Sequence, residues 1–549
     1  MKRTTSINPI LHLPENYVSK QMALYTAFRE AIITEVIAPN QRLPSTREFA
    51  RAYDISRGTA VIVYELLQAE GYLVTRRGAG TFVAPRLPDD CLIMPKAEFQ
   101  LDLQPERAEE RVRAPVQALS RLGRQFASTT LPIEDTTRRP IPFVPHLPAL
   151  DEFPISLWAR LTARHARLVK PELLGHGYAG GWPRLRTVIA AYLRSTRGID
   201  CRHEQIILTS STQQSLLLCA RLLTEPGDQA LMEDPGYPGV LAALQVAGLE
   251  VVPVPVDSQG MQIGMDQQFG GRPRLAYVMP AHQCPTGAVM SVERRQALLE
   301  WAVRHDAWVF EDDDESEFRY YGHPMPTLYG MGRSGCVLYA GSFDKTLFPA
   351  LRISYFIVPP PLVDAFARAQ VLHGRNPAIL SQLVLCDFIE SGHFVRHVRR
   401  MGECYRERRT ALIDALNEHL GGSIEITPQP SGLELAVWWK GGRDAETIAA
   451  AAEAQNLYVE PISSFQIRNL VPSGTVLGFA AYNPPVLRNA VGRLASAAST
   501  LTVNIGSRMV DHQQAPLLYR GMTPEHAAVS SPRTSTSVSP AAGLRSLRR

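Results

Sequence analysis

The sequence predicts a multidomain α/β protein: a small three-helix head with a β-hairpin, followed by a doubly wound α/β body. Three observations point there. At 549 residues the chain is too long for one ordinary domain. Residues 1–85 combine helical periodicity and capping signals with a terminal hairpin pattern. From Phe153 to about Ser499, apolar runs alternate with helical segments.

Composition narrows the class. With 45% hydrophobic and 20% charged residues, this is an ordinary globular chain. No apolar run approaches the roughly eighteen residues of a membrane span, and the N-terminus lacks a signal peptide's apolar core. The seven cysteines are scattered and form no C-x-x-C pair, which argues against a disulfide framework or a metal site and for a reducing cytoplasm. The net charge of +4 is uneven: residues 1–85 carry +3, residues 501–549 carry +4, and the stretch between them is acidic at −3. Basic ends on an acidic middle suit a nucleic-acid contact made by one end.

In the head, Leu24, Phe28 and Ile32 recur every four residues and predict a helix over about 18–37, stopped by Pro39 and Asn40. Ser45-Thr46-Arg47-Glu48 is a capping box that starts a short second helix. Ser56 caps a third helix, Arg57 to Ala69, closed by Gly71. Tyr72–Thr75, the turn Arg76–Gly80 and Thr81–Ala84 predict a hairpin. Together these describe a winged helix-turn-helix. The third helix opens with Ser56-Arg57-Gly58-Thr59, which would lead into a major groove, with Arg57 as the base reader. Arg47, Thr59 and Tyr64 are candidate phosphate positioners, and Arg76, Arg77 and Gly80 would bring the wing to the DNA. Ser56 and Thr81 complete the candidate contacts. The same architecture also serves as a protein-interaction module.

Residues 86–147 read as a Pro-rich, charged linker with one helix from Pro105 to Gln125. In the body, Cys336–Ala340 and Ile353–Val358 read as buried strands flanking Gly341-Ser342-Phe343-Asp344-Lys345 and its continuation to Arg352. A lysine just past a central strand sits where α/β sheets present ligands. A lysine that forms a Schiff base with a carbonyl cofactor needs that position and a nearby cation for the cofactor's phosphate. Arg352 and Ser342 supply a cation and a hydroxyl. A second strand, Ala307–Phe310, runs into Glu311-Asp312-Asp313, where a carboxylate can pair with the pyridinium nitrogen of pyridoxal 5'-phosphate (PLP). Alone, each cluster is more often a solvated surface. A strand–Asp, a strand–Lys and an Arg together are harder to obtain by accident.

Three further loops join them. Gln205–Thr209 runs into Ser210-Ser211-Thr212 and a helix, which is either an anion site or a plain N-cap. Glu233–Gly239 is a rigid turn presenting Tyr237, able to pack on a cofactor, and Ala281–Gly287 is a polar loop after a strand over Leu275–Met279.

The stretch from Arg42 to Ala84 resembles the GntR-type winged helix almost without a gap. Over residues 20–499 the chain resembles the MocR/GabR-type subfamily of GntR regulators. The motifs LLGHGYAGGWPRLR, EDPGYPG, HQCPTG, SEFRY, KTLFPALR and HVRRM carry the match in that order. The resemblance implies a winged helix over 15–85 joined to an aspartate-aminotransferase-like, fold-type I PLP domain over 148–499; outside the match, the Ser/Pro/Arg-rich composition of 500–549 reads as a disordered basic tail. It implies that Lys345 holds PLP as a lysine aldimine, that Asp312 pairs with the pyridine nitrogen, that Arg352, Ser342 and Thr212 bind the phosphate, and that Tyr237 packs against the cofactor. The expected protein is a cytoplasmic, head-to-tail homodimer that binds operator DNA and senses PLP, an amine or an amino acid.

This chain departs from the family pattern at several positions. Asp314 stands where the family has Tyr, Asp344 where it has Ser, Ser211 where it has Gly and Glu434 where it has His. Val476 stands where such aminotransferases often carry a carboxylate-binding arginine. Two other readings follow: a working aminotransferase with a DNA-binding head, or a body that has lost PLP and serves only to dimerise.

Overall fold

A computed structural model of the chain describes residues 19–34, 36–76, 79–87, 119–128, 141–264, 269–332, 335–427, 429–468 and 471–505. Contacts divide it into two compact units, Met1–Ala118 and Leu119–Arg549.

The head holds three helices, α1 (Lys20–Ile33), α2 (Thr46–Ala52) and α3 (Arg57–Ala69), and a hairpin of β1 (Leu73–Arg76) and β2 (Gly80–Val83). Ser45 and Glu48 form both halves of the capping box on α2, and the Ser56 hydroxyl accepts from the Thr59 amide to open α3. Helix α1 is shorter than its periodicity suggests. The amide and hydroxyl of Thr34 both donate to the Glu30 carbonyl at 2.8 Å, and Ile37 turns back into the core. That core joins Leu24, Phe28, Phe49, Val63, Leu67 and Val83, with the Phe28 and Phe49 rings edge-on at 4.9 Å. Fully burying each such side chain contributes about 1.5–3 kcal/mol.

In the body, β3 (Ile206–Thr209), β4 (Gln229–Asp234), β5 (Glu250–Asp257), β6 (Gly260–Met261), β7 (Pro273–Val278), β8 (Trp308–Asp312), β9 (Val337–Ser342) and β10 (Ser354–Ile357) form one sheet. Its order is β3-β10-β9-β8-β7-β4-β5-β6. Strands β9, β8, β7, β4 and β5 are mutually parallel, while β10 runs antiparallel to both neighbours. Apolar side chains cover both faces: along β9, Leu338 and Ala340 join one cluster and Tyr339 another. A parallel sheet buried on both sides requires such continuous apolar runs. A second, antiparallel sheet has the order β11 (Ile424–Ile426), β12 (Glu434–Trp439), β14 (Gly474–Gly478), β13 (Glu460–Pro461). The helices His393–Leu420 and Pro484–Ile505 share its core through Leu412, Leu416, Leu487 and Leu494.

Two boundaries need correction. The stretch expected to be linker as far as 147 belongs to the body from residue 141. Phe143 is fully buried, and its carbonyl accepts from the Gly478 amide at 2.8 Å. A Cβ at Gly478 would lie 2.0 Å from the Val144 carbonyl oxygen, so only glycine lets this segment lie against β14. The last helix continues past Ser499 to Ile505. The helix expected over 105–125 lies mostly outside the described residues, within which Arg121–Ser128 is helical. The tail after 505 also lies outside them. Among the described residues, no helix is long and apolar enough to cross a membrane.

Candidate functional site

A cavity of about 170 Å³ lies past the C-terminal ends of β7, β8 and β9, where a doubly wound sheet presents its loops. All six residues singled out for a cofactor line it: Lys345, Asp312, Arg352, Ser342, Thr212 and Tyr237. The strands explain the convergence. Side chains alternate across β8, so Glu311 turns away to accept the Leu328 and Tyr329 amides, both at 2.8 Å, while Asp312 faces the cavity. Asp313 turns away again, to Tyr339 and, at 3.0 Å, to Arg197.

Asp312 is buried. Its Oδ2 accepts from the Tyr277 hydroxyl at 2.8 Å, and its Oδ1 has no partner. Burial raises its pKa, with the Tyr277 hydrogen bond pulling the other way. Lys345 Nζ donates to the His146 carbonyl at 2.8 Å. Burial alone would lower this ammonium, but Asp314, Glu315, Glu434 and Asp344 outweigh it and hold Lys345 above its usual range. Asp344 is pushed up to about 6 by burial, against the pull of Lys345 and Arg352. Burial also raises Asp314 well above the ordinary carboxylate range.

At the phosphate-like end, the helix Thr212–Leu223 begins at Ser211, whose hydroxyl accepts from the Gln214 amide at 3.1 Å. Ser342 Oγ accepts from the Asp344 amide at 3.0 Å and takes the Ser354 hydroxyl at 3.1 Å. Arg352 is exposed and sits in the left-handed region at φ 53°. Free N–H groups of a helix N-terminus, hydroxyls and a guanidinium form an anion cradle.

Sequence reasoning gave no role to a second set of lining residues. His146 comes from the segment read as linker. Its Nδ1 lies 3.0 Å from Glu434 Oε1, its amide donates to Glu434 Oε2 at 3.2 Å, and its ring stands edge-on to Tyr237 with centroids 6.0 Å apart. Burial opposes charge on both partners, yet their mutual attraction wins, raising His146 and lowering Glu434. Glu315 takes the Leu433 amide on Oε2 at 3.0 Å and lies 3.7 Å from His282 Nε2. Tyr277 was legible only as part of a strand. The ligand atoms of His146, Cys284 and Glu434 lie within 4.8 Å of one another, but the His146–Glu434 ion pair already occupies two of the three residues.

In the head, Arg47, Ser56 and Arg57 are exposed, and Thr59 is half-buried with its hydroxyl 2.8 Å from that of Ser56. Arg76 is exposed, its guanidinium 4.7 Å from the Phe82 ring centroid. Gly80 adopts φ 107°, and Thr81 is half-buried with its carbonyl taken by the Leu43 amide. Arg77 lies outside the described residues. Tyr64 requires a correction as a phosphate positioner. It is 5% exposed, packs on Phe28 and Phe49, and donates its hydroxyl to the Pro44 carbonyl at 3.0 Å. An apolar ring on the inner face of α3 belongs to the core.

Comparison with known proteins agrees with both units. Residues 20–83 match the family "Bacterial regulatory proteins, gntR family", and residues 154–494 match "Aminotransferase class I and II". The chain is 38% identical over 474 residues to the probable rhizopine catabolism regulatory protein MocR of Rhizobium meliloti, covering 86% of this chain and 92% of that one. It is 28% identical to the pyridoxine biosynthesis transcriptional regulator PdxR of Corynebacterium glutamicum, covering 89% and 98%. Among solved structures, the α-aminoadipate aminotransferase LysN of Thermus thermophilus, complexed with N-(5'-phosphopyridoxyl)-L-leucine, matches with a TM-score of 0.64 at 25% identity, covering 71% of this chain and 99% of that one. The body has the fold of PLP-dependent aminotransferases, and PLP is the cofactor of that fold. The chain belongs to the MocR-type regulators of the gntR family, transcriptional regulators that join a winged-helix head to an aminotransferase-like body.

Proposed function

We propose that this protein is a cytoplasmic, homodimeric regulator that binds operator DNA through its head and PLP at Lys345 in its body, and that occupancy of the body by a small amine controls the head. One observation carries the reading. Lys345, Asp312 with its unpartnered Oδ1, and the Ser211–Arg352 anion cradle line one cavity. The residues fit the cofactor: an unpartnered buried carboxylate oxygen needs a donor, and a protonated ring nitrogen is one.

Each residue has a physical task. Lys345 supplies the amine that anchors the cofactor. Asp312, oriented by Tyr277, holds a proton on the ring nitrogen. Arg352 would offset the charge of the phosphate, Thr212 and Ser342 would donate hydroxyls to it, and Tyr237 would supply an aromatic wall. When bound, PLP supplies an electrophilic carbonyl that captures primary amines. Asp314 occupies the position of the family's hydrogen-bonding tyrosine. Burial raises its carboxyl while the Lys345 ammonium pulls it down, and only in its protonated form can it donate a hydrogen bond as a phenol does.

Regulation fits this site better than turnover. The acidic groups around Lys345 hold its ammonium above its usual range against the effect of burial, whereas proton shuttling needs a base poised near the working pH. The sensing step requires only that ligand favour one of two body conformations.

The test is the visible absorption spectrum of the full-length protein titrated with PLP, beside Lys345→Ala. A saturable band in the wild type that the variant lacks is expected. A wild-type protein with no band at saturating PLP overturns the reading and leaves a DNA-binding protein whose body only dimerises.

A further inference from the structure

We propose that the hydrogen bond from Lys345 Nζ to the His146 carbonyl is a latch, closed when Nζ is free and open when Nζ carries PLP, so that a small amine is sensed through the lysine it releases. This rests on the PLP reading above. It concerns the strap of residues 141–149, which brings His146 to the wall of the cavity that the cofactor residues leave free.

The strap belongs to the second sheet. Tyr482 donates its hydroxyl to the Ile141 carbonyl at 2.5 Å, the Tyr458 amide donates to the Pro142 carbonyl at 3.0 Å, and the Gly478 amide donates to that of Phe143. At the other end the Ala149 amide donates to the Tyr405 hydroxyl at 3.0 Å, and between them the His146 amide donates to Glu434. These partners all lie in the sheet β11–β14 or in the segments packed with it. Lys345 comes from the other side, from the loop after β9 of the first sheet. Among the described residues it makes the one hydrogen bond that joins the strap's backbone to that sheet's loops, at 2.8 Å. The His146 ring also meets Tyr237, Cys284 and Glu315, contacts that hold the ring and not the backbone.

The strap is stiff, and two of its residues are strained. Pro142, Pro145 and Pro148 fix φ at their own positions, which leaves rotation to the residues between them. Phe143 at φ 79° and His146 at φ 60° sit in the left-handed region, which residues with a side chain occupy at a cost. Once the His146 carbonyl loses its restraint, the backbone turns most readily there. The prolines pass that turn along the strap toward residue 141 and the linker.

The chemistry of nitrogen decides when the latch is closed. A lysine ammonium offers three hydrogens. When Nζ condenses with the PLP aldehyde, a carbon–nitrogen double bond forms and the aldehyde oxygen leaves as water with two of those hydrogens. One hydrogen and the positive charge stay on nitrogen. The double bond stops Nζ from rotating that hydrogen toward the strap, and the His146 carbonyl loses its donor. A part-buried carbonyl without a partner is costly, so the strap shifts toward water or another donor. A primary amine reverses the change. In the net exchange an incoming ammonium gives two hydrogens to Nζ and takes over the double bond. The Lys345 ammonium is restored among Asp314, Glu315, Glu434 and Asp344, which stabilise it, and the latch closes again.

Backbone amide exchange over residues 141–150 of the full-length protein, read by mass spectrometry, tests this in three states: without PLP, with PLP, and with PLP plus methylamine. The visible band identifies each state. Methylamine brings the cavity a nitrogen and a methyl group and nothing else to bind. Exchange should speed up about fivefold or more when PLP is added and return to within about twofold of the first state with methylamine. Lys345→Ala should exchange fast without PLP and respond to neither addition. Four results overturn this inference and leave the cofactor reading standing: a band that forms while strap exchange stays level or slows, a band that ignores methylamine, a band that methylamine shifts without restoring protection, or a Lys345→Ala strap as protected as the wild type. No band at saturating PLP overturns both. Should Lys345→Ala fail to fold, the three wild-type states still decide.

Discussion

Glu434→Gln tests the ion pair that organises the free wall of the cavity. Glu434 is 2% exposed and His146 11% by side chain, and their charged atoms lie 3.0 Å apart. Removing one partner of a buried pair costs about 3–5 kcal/mol, because the other charge is left without compensation. Glutamine can still accept from the His146 amide, and His146 can shed its proton. The lower end, about 3 kcal/mol, is therefore expected for the apo protein near pH 7. The pH dependence follows from the directions of the two shifts. Glu434 is lowered in the fold, so its contribution is fully present above its unfolded value, about 4.3, and is lost as pH falls below it. His146 is raised, so its contribution is fully present below its unfolded value, about 6.5, and is lost as pH rises through the folded one. The gap between wild type and variant should be widest at about pH 5–6 and narrow on either side. Urea unfolding of the body, followed by tryptophan fluorescence across that range, reads it. Equal stabilities at pH 6, or a gap that widens toward pH 3, would show that the pair is not charged as described.

Two further outcomes concern the head. Arg57→Ala should lower binding to an operator selected from random DNA by about 1–3 kcal/mol and leave the salt-dependent, nonspecific component nearly intact. An unchanged specific-to-nonspecific ratio would remove Arg57 from base readout. Tyr64→Phe should cost about 0.5–1.5 kcal/mol of head stability through the lost bond to Pro44, with no change in DNA affinity. A fall in affinity at full folding would return Tyr64 to the interface.

Local chemistry made much of this protein legible in its sequence. The capping box at Ser45–Glu48, the Ser56 cap and the hairpin around Gly80 are short-range signals, and each forms the element expected of it. Lys345 and Asp312 were found because each follows an apolar strand by a few residues, and strand ends in a doubly wound sheet converge. Only the tertiary structure decided which other groups meet them. His146 lies about two hundred residues before Lys345 in the chain, in a Pro-rich stretch without periodicity, and reaches the cavity only because Phe143 packs against Gly478. Tyr64 has a phosphate-binding residue's chemistry, but the packing of α1 against α3 turned it inward. The charge states of Asp314, Glu434 and His146 were likewise unreadable. A carboxylate's pKa is set by burial and by neighbours in space, and sequence fixes neither until the chain has closed on itself.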